Sequence, residues 1–276
     1  MTDESSHSFH EQEDIRLGAV EFHAPRVNIL GVGISAVNNK SVVEIVQGWM
    51  KTNQPQYLSV CNVHTVMNCY RDPSLRTVVN GAGIVAPDGM PLVWIGRMQG
   101  YSQMGRVYGP DLMLTLCRES QKSGYRHFFY GGAPGVPQAL TDELRRRYPK
   151  LQIAGFHSPP FRPLTPREQK EDIDRINLTE PHVVWIGLGT PKQDRWVADH
   201  VGLIEGAVLI PVGAAFDFIS GRLPQAPRWM RVSGLEWLFR FLTEPRRLWR
   251  RYLVDNPLFI LRMFEQALGL KRYTIE

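Results

Sequence analysis

The chain is poor in the residue patterns that build disulfide frameworks and metal centres. Its 276 residues include only three cysteines, Cys61, Cys69 and Cys117, without a CxxC pair, and none of its eight histidines has HxxxH or HExxH spacing. An odd number of scattered cysteines argues against a disulfide framework and a structural zinc site, and is typical of a protein in a reducing cytosol. The sequence therefore predicts neither a metal site nor a cofactor.

Long hydrophobic runs are also missing. No apolar run approaches the roughly 18 residues that a bilayer-spanning helix needs. Residues 1–14 are polar and acidic, unlike the apolar core of a secretory signal peptide. These absences predict a cytoplasmic protein that is soluble or attached to a membrane surface.

Positive charge is concentrated at the C-terminal end of the chain. The net charge is +5, and residues 224–276 contain ten basic and five acidic residues, so this segment accounts for the whole excess. Residues 1–24 carry six acidic residues and one basic residue, which predicts a disordered or loosely held tail. A basic segment implies an anionic partner, which is phospholipid, a phosphorylated substrate or nucleic acid. Nucleic acid is the weaker alternative and is not the expected partner, since basic residues alone indicate any anion.

Apolar strands alternate with amphipathic helices between residues 25 and 223. We predict that residues 27–34 form a first strand that runs into a glycine turn. Residues 41–51 are predicted to form a helix with a capping box of Ser41 and Glu44. Further strands are predicted at residues 57–61, 84–86, 127–130, 151–155, 182–186 and 208–212. Apolar strands that alternate with helices are typical of a parallel sheet covered on both faces. The prediction is an α/β, Rossmann-like, mainly parallel sheet, followed by a C-terminal helical appendage over residues 224–276.

One carboxylate stands at the end of a short apolar strand. Asp88 follows residues 84–86 and is followed at once by Gly89. A carboxylate set against apolar walls has a raised pKa, which suits a general base. Ordinary turn chemistry is the alternative, since Asp-Gly is a common turn pair. Ligands of parallel sheets bind beyond the carboxyl ends of the strands, where Asn62 and Gly213 are also expected, so these residues are predicted to share one crevice.

Two glycine-rich loops are predicted at the same edge. Each follows a strand and precedes a helix, so that glycine lets the backbone approach a diphosphate and the helix N-terminus offers free N–H groups. A tight turn alone would also explain either loop. The residues proposed to bind substrate are Gly131 and Gly132 in the first loop, and Gly187, Gly189, Lys192 and Gln193 in the second.

The appendage has a basic, amphipathic pattern. Leu248 and Tyr252 with their apolar neighbours form one helix face, and arginines occupy the other. Basic, aromatic helices suit an anionic membrane surface; a helix pair packed on the core or on a second subunit is the alternative. The arginines proposed to contact an anionic membrane surface are Arg246, Arg247, Arg250 and Arg251.

The spacing of these motifs resembles that of the WecG/TagA/CpsF glycosyltransferases, which extend bacterial lipid-linked sugars. The similarity covers about residues 27–253. It includes Asn62 after a strand and the runs at residues 87–91, 106–112, 131–132, 187–194, 213–217 and 226–237. Together these motifs are specific, although each alone is weak.

The resemblance implies an inverting, metal-independent transfer from a UDP-sugar to a polyprenyl-diphosphate-linked sugar at the inner face of the plasma membrane. N-acetylmannosamine is the favoured sugar, and glucosyl transfer in exopolysaccharide assembly is the alternative. By the resemblance, Asp88 is the general base and Asn62 positions a sugar or the acceptor. Arg106 contacts a phosphate or sugar, and Gln193 lies in the nucleotide-sugar pocket. The resemblance also implies that the appendage brings arginines to the diphosphate, and the candidates are Arg246, Arg247, Arg250 and Arg251. Val60 departs from the family, whose members often carry Thr there, so one hydroxyl contact to substrate is lost.

Two rival hypotheses remain. A dinucleotide oxidoreductase would share the fold class, although Gly31 and Gly33 lack the third glycine and the acidic residue about 20 positions later. A non-catalytic membrane-binding protein would use the basic helices alone. Apolar surfaces on the appendage also predict a homo-oligomer in solution. The single Asp-x-Asp sequence, Asp172 to Asp174, falls in a predicted surface helix and is interpreted as a solvated face.

Overall fold

The computed structural model describes residues 24–275. The loose tail predicted for residues 1–24 lies, except for its last residue, outside this range. The strands are β1 (Arg26–Ile29), β2 (Val32–Ser35), β3 (Gln56–Cys61), β4 (Ile84–Pro87), β5 (Arg126–Gly131), β6 (Gln152–His157), β7 (Val183–Gly187) and β8 (Val208–Pro211). The helices are α1 (Asn39–Lys51), α2 (Val63–Arg71), α3 (Pro73–Asn80), α4 (Met90–Met98), α5 (Gly109–Ser123), α6 (Val136–Arg147), α7 (Pro166–Asn177), α8 (Lys192–His200), α9 (Ala215–Ile219), α10 (Arg228–Val232), α11 (Glu236–Thr243), α12 (Pro245–Arg250) and α13 (Asn256–Ala267), with a π-helical turn (Arg251–Asp255) between the last two.

Six strands form one parallel sheet in the order β4-β3-β8-β7-β5-β6. Strands β4 and β8 are buried along their whole length, as expected of a sheet covered by helices on both faces. The predicted α/β, Rossmann-like architecture is confirmed. Because every strand runs the same way, the residues that follow each strand meet at one edge.

The glycine turn predicted within residues 27–34 is the turn of a separate antiparallel hairpin; the second strand of this hairpin, which begins at Val32, was not predicted. Val27 pairs with Ile34 across the hairpin. The turn residues Leu30 and Gly31 have φ values of 53° and 86°, the left-handed pair that a two-residue hairpin turn requires. Both strands are largely buried, which is why the apolar run looked continuous.

The N-terminus of α1 also differs from its prediction. The Asn38 side chain accepts a hydrogen bond from the Ser41 amide at 3.1 Å, and Ser41 Oγ accepts one from the Asn38 amide at 3.0 Å. This capping box replaces the predicted pair of Ser41 and Glu44. The helix consequently begins two residues earlier than the prediction.

Two apolar layers cover the sheet. Alternate residues of β5 serve the two faces: Phe129 packs in one layer, whereas Phe128 and Tyr130 pack in the other. The solvated interpretation of the Asp-x-Asp sequence is wrong for Asp172, which is buried and accepts a hydrogen bond from Tyr130 Oη at 2.7 Å. Asp174 is exposed and pairs with a lysine on its own helix, because residues two apart point to different sides of a helix.

The appendage returns to the N-terminal hairpin. Phe259 on α13 is buried in the core. Gln266 accepts a hydrogen bond from the Leu30 amide and donates one to the Asn28 carbonyl, each at 2.9 Å. Asn28 Nδ2 then donates to the Tyr273 carbonyl at 2.7 Å. Among residues 24–275, every helix is too short or too polar to cross a membrane.

Candidate active site

The carboxyl edge of the sheet opens into a cavity of about 1340 Å³. Its floor is made by the residues that follow β3, β4, β7 and β8, and its opposite wall is made by the appendage. The sequence analysis placed Asn62, Asp88 and the glycine loops at this edge. The structure brings Asn62, Asp88, Gly132 and Gly187 to the same cavity.

Asp88 lies at the cavity floor, directly after β4. Its amide donates to the Cys61 carbonyl at 2.7 Å, which fixes the turn against the end of β3. Only 20% of its side chain is exposed, and Oδ1 lies 3.2 Å from Nη2 of Arg106. Burial raises the pKa of Asp88; the positive charge of Arg106 opposes this rise, and the negative charge of Glu236 adds to it. The carboxylate is therefore held in one orientation and made more basic than an exposed aspartate.

Arg106 lies beside Asp88 and is not among the residues that line the cavity. Its Nε donates to the Asp88 carbonyl, and Nη2 also bonds Glu236 Oε2 at 2.7 Å. Its Nη1 donates to the Arg231 carbonyl at 3.2 Å. These contacts hold the guanidinium against protein groups, where it orients Asp88.

Asn62 serves as the N-cap of α2. Its Oδ1 accepts hydrogen bonds from the amides of His64 and Thr65, at 3.0 and 3.3 Å. Capping occupies the side-chain oxygen and leaves the amide Nδ2 as the donor that can reach a ligand in the cavity. Val60 lines the cavity two residues earlier on the same strand, so an apolar group stands next to this donor.

The glycines at the ends of β5 and β7 serve two different purposes. Gly131 is outside the cavity lining; its φ is 112°, and a Cβ there would lie 2.8 Å from the Gly187 backbone. It therefore permits close approach of the two strands. Gly132 and Gly187 do line the cavity, and the Gly132 amide donates to the Gly187 carbonyl at 2.9 Å.

The loop after β7 is braced from within by Gln193. Its Oε1 accepts a hydrogen bond from the Gly189 amide at 3.0 Å, and Nε2 lies 3.5 Å from Thr190 Oγ1. Lys192 lies at the rim of the cavity, with Nζ 5.9 Å from the centre of the exposed Phe161 ring. Asp194 is buried beneath the loop, and burial raises its pKa to about 6.

Appendage arginines form the wall opposite Asp88. Of the four predicted, Arg247, Arg250 and Arg251 line the cavity, and Arg246 is exposed outside it. Arg251 is close enough for its positive charge to lower the pKa of Asp88. Arg247 pairs with Glu244 at 2.8 Å, whereas the contacts of Arg250 and Arg251 are with aromatic rings.

Sequence reasoning missed several charged residues of the cavity. Arg240 lines it from α11. On the opposite side, Asp255 contacts both His64 and Arg71, with 3.2 Å between its Oδ2 and His64 Nδ1. Glu236 reaches Arg106. Helical periodicity places Glu236 and Asp255 on the appendage, but their partners are more than 100 positions away and carry no local signal. No group of three or more histidines, cysteines or carboxylates suited to a metal ion occurs among the described residues.

Comparison with known proteins agrees with this arrangement. The family description "Glycosyl transferase WecG/TagA/CpsF family" matches residues 27–273. A relative from Bacillus spizizenii is 29% identical over 82% of this chain and 86% of its own, and one from Staphylococcus aureus is 24% identical over 90% and 95%. Both are named N-acetylglucosaminyldiphosphoundecaprenol N-acetyl-beta-D-mannosaminyltransferase. The match over residues 27–273 shows that this protein belongs to the WecG/TagA/CpsF family of glycosyltransferases.

Proposed function

We propose that this enzyme transfers N-acetylmannosamine from UDP to the N-acetylglucosamine of a polyprenyl-diphosphate acceptor. The transferred sugar and the acceptor are those in the names of its relatives, and the UDP donor is part of the proposal. The observation that carries the proposal is the position of Asp88. It is a partly buried carboxylate with a raised pKa, and it faces a wall of arginines across a cavity large enough for a nucleotide sugar.

In this mechanism Asp88 removes the proton from the acceptor hydroxyl. The hydroxyl oxygen then attacks the anomeric carbon of the donor from the face opposite UDP. A bond forms between that oxygen and the anomeric carbon, the bond to the β-phosphate oxygen breaks, and its electron pair leaves with UDP. Direct displacement of this kind inverts the anomeric configuration. A base of raised pKa suits this step, because it accepts the proton as the attack develops.

The departing diphosphate needs positive charge. Arg250 and Arg251 line the cavity without carboxylate partners in the described part of the chain, and Lys192 lies at the rim. Cations held in a partly desolvated site stabilise charge that develops in the transition state. We propose that these side chains neutralise the leaving UDP, and that the reaction proceeds without a divalent metal ion.

A donor panel tests the reaction. UDP release would be measured with several UDP-sugars and a polyprenyl-diphosphate N-acetylglucosamine acceptor, with EDTA present. We expect acceptor-dependent release with UDP-N-acetylmannosamine, and an inverted anomer by NMR of the product. Loss of at least about 100-fold is expected for Asp88→Asn. Asp174→Asn, an exposed aspartate on α7, is the matched control and should keep wild-type activity. Full activity in Asp88→Asn, or a requirement for metal ions, would contradict the mechanism.

The outer surface of the appendage supports a second part of the proposal, namely docking on the inner face of the plasma membrane. Large exposed apolar patches mark interaction surfaces, and basic residues add attraction to anionic lipids. The exposed apolar side chains of the appendage that do not line the cavity are Trp229, Val232, Leu235, Trp237, Leu242, Leu253, Ile260, Leu261, Phe264, Leu268, Leu270 and Ile275. Arg246 is exposed on the same appendage and would contact lipid headgroups.

Vesicle binding tests the docking surface. Phe264→Glu and Leu268→Glu change exposed residues of α13 and its end, and each should lower sedimentation with anionic vesicles roughly tenfold. Leu178→Glu changes an equally exposed apolar residue at the end of α7 and should leave binding unchanged. If the apolar surface instead pairs two copies of the chain, these variants would change the size in sedimentation velocity without vesicles and leave vesicle binding intact.

A further inference from the structure

Glu236 joins the appendage to the residue beside the proposed base. It is the first residue of α11, and 11% of its side chain is exposed. Its Oε2 lies 2.7 Å from Nη2 of Arg106, and the same nitrogen lies 3.2 Å from Asp88 Oδ1. One guanidinium nitrogen is therefore shared between a carboxylate of the core and a carboxylate of the appendage.

The appendage also supplies a second contact to the same side chain. Arg106 Nη1 donates to the carbonyl of Arg231 on α10, and Nε donates to the carbonyl of Asp88. The Tyr108 ring lies 4.4 Å below the guanidinium carbon. Arg106 is thus fixed from the core by Asp88 and Tyr108, and from the appendage by Glu236 and Arg231.

We propose that Glu236 is a positioning residue, which holds Arg106 between two carboxylates so that Asp88 is oriented as a base only while the appendage is docked. The proposal deepens the proposed function and rests on the assignment of Asp88 as the base. Glu236 itself touches no reacting atom in this scheme. It acts through Arg106, because a carboxylate that shares the cation weakens its hold on Asp88.

The charges around Asp88 give the sign of the effect. Arg106 and Arg251 lower the pKa of Asp88, and Glu236 raises it, while the main cause of its raised pKa is burial. Cys61 and Tyr108 also face the carboxyl, and burial raises the pKa of each. Replacement of Glu236 by a neutral residue removes one negative charge and leaves Arg106 to pair with Asp88 alone. The pKa of Asp88 then falls, and the base becomes weaker.

The test is the pH dependence of kcat/KM, which reports the pKa of the base in the free enzyme. Activity requires ionised Asp88, so it is lost as the pH falls through that pKa. For Glu236→Gln we expect the acidic limb of the kcat/KM profile to move to a pH about one unit lower. The plateau value of kcat/KM should fall roughly three- to tenfold. Glu236→Asp keeps the charge on a shorter side chain, so its limb should stay at the wild-type pH while kcat falls severalfold.

Glu265→Gln is the matched control, because it removes a carboxylate of the same appendage that pairs with Arg262 outside the cavity. Its pH profile should be that of the wild type. Lower activity of Glu236→Gln without movement of the limb would assign Glu236 a purely structural role and overturn the proposal. If Glu236→Gln does not fold, judged by thermal unfolding, Glu236→Asp decides, and a wild-type kcat in that variant overturns it. Asp88→Asn is measured in parallel. If Asp88→Asn is inactive, the assignment of Asp88 as the base holds even where the positioning role of Glu236 fails.

Discussion

The carboxylate of Asp255 lies 3.2 Å from Nδ1 of His64 and also pairs with Arg71. This contact joins the π-helical turn of the appendage to α2, the helix that Asn62 caps. Asp255 is almost fully buried, with 8% of its side chain exposed. The contact therefore fixes the appendage on one side of the cavity, while Glu236 fixes it on the other.

Asp255→Asn should loosen the appendage. The substitution leaves Arg71 without its carboxylate, and we expect a loss of about 1–3 kcal/mol of unfolding free energy. Urea unfolding would measure this loss, and limited proteolysis should cut the chain near residue 250 faster than in the wild type. Asp142→Asn, an exposed partner of Arg145 on α6, is the control. Equal stability of both variants would show that the pair contributes nothing.

Arg251→Ala should slow the chemical step. Arg251 lines the cavity and acts electrostatically on Asp88, and loss of one cation that stabilises a leaving group costs roughly 100-fold in kcat. Initial rates at saturating donor would measure the effect. Arg145→Ala removes an exposed arginine on α6 and should leave kcat within about twofold. A change in KM alone for Arg251→Ala would place the arginine in ground-state binding instead.

Gly131→Ala should destabilise the fold. A Cβ at this position would lie 2.8 Å from the Gly187 backbone, which cannot move aside as a flexible side chain can, and the residue has positive φ. We expect a loss of about 2–4 kcal/mol, measured by urea unfolding. Gly135→Ala has positive φ but no atom within 4 Å of the added Cβ, so it should cost only about 1–2 kcal/mol. Equal losses would contradict the role of Gly131 in close strand packing.

His127 should make the protein less stable in acid. It is fully buried and accepts a hydrogen bond from Trp185 Nε1 at 2.9 Å, and burial lowers its pKa to about 3. In the unfolded chain His127 binds a proton near pH 6.5, whereas in the folded chain it does not. The contribution of His127 to the unfolding free energy is therefore fully present above pH 6.5. As the pH is lowered from about 6.5 to about 3, the unfolding free energy falls by up to about 1.4 kcal/mol per pH unit.

A His127 variant separates the contribution of His127 from that of the carboxylates, which titrate in the same pH range. His127→Gln retains an acceptor for Trp185 without a titrating group. Its urea-unfolding free energy should therefore fall less steeply below pH 6.5 than that of the wild type. Parallel curves for the two proteins would contradict the assignment.

Local patterns were sufficient to predict the sheet and the edge at which the site lies. Apolar strands followed by glycines or by Asp88 mark the carboxyl edge, because that edge depends only on strand direction. The family assignment then excludes the dinucleotide oxidoreductase and the non-catalytic binding protein. The identity of the sugar and the roles of individual site residues remain predictions for the experiments above.

Contacts between distant residues were beyond such patterns. The sequence does not show that Arg106 pairs with Asp88 and Glu236, or that Gln193, which lines the cavity, also accepts a hydrogen bond from its own loop. A turn was predicted at Gly31 and Gly33, but the positive φ of Leu30, which belongs to that turn, has no compositional sign. In each case the conformation depends on residues that only the tertiary structure brings into contact.

The hydrogen bonds of Gln266 and Tyr273 to the N-terminal hairpin give the appendage a second attachment to the core. The appendage is therefore attached to the core at both of its ends, whereas a hinged lid is attached at one end only. Movement of the residues between these attachments is therefore limited at both ends, and the arginines that line the cavity lie within this doubly attached segment.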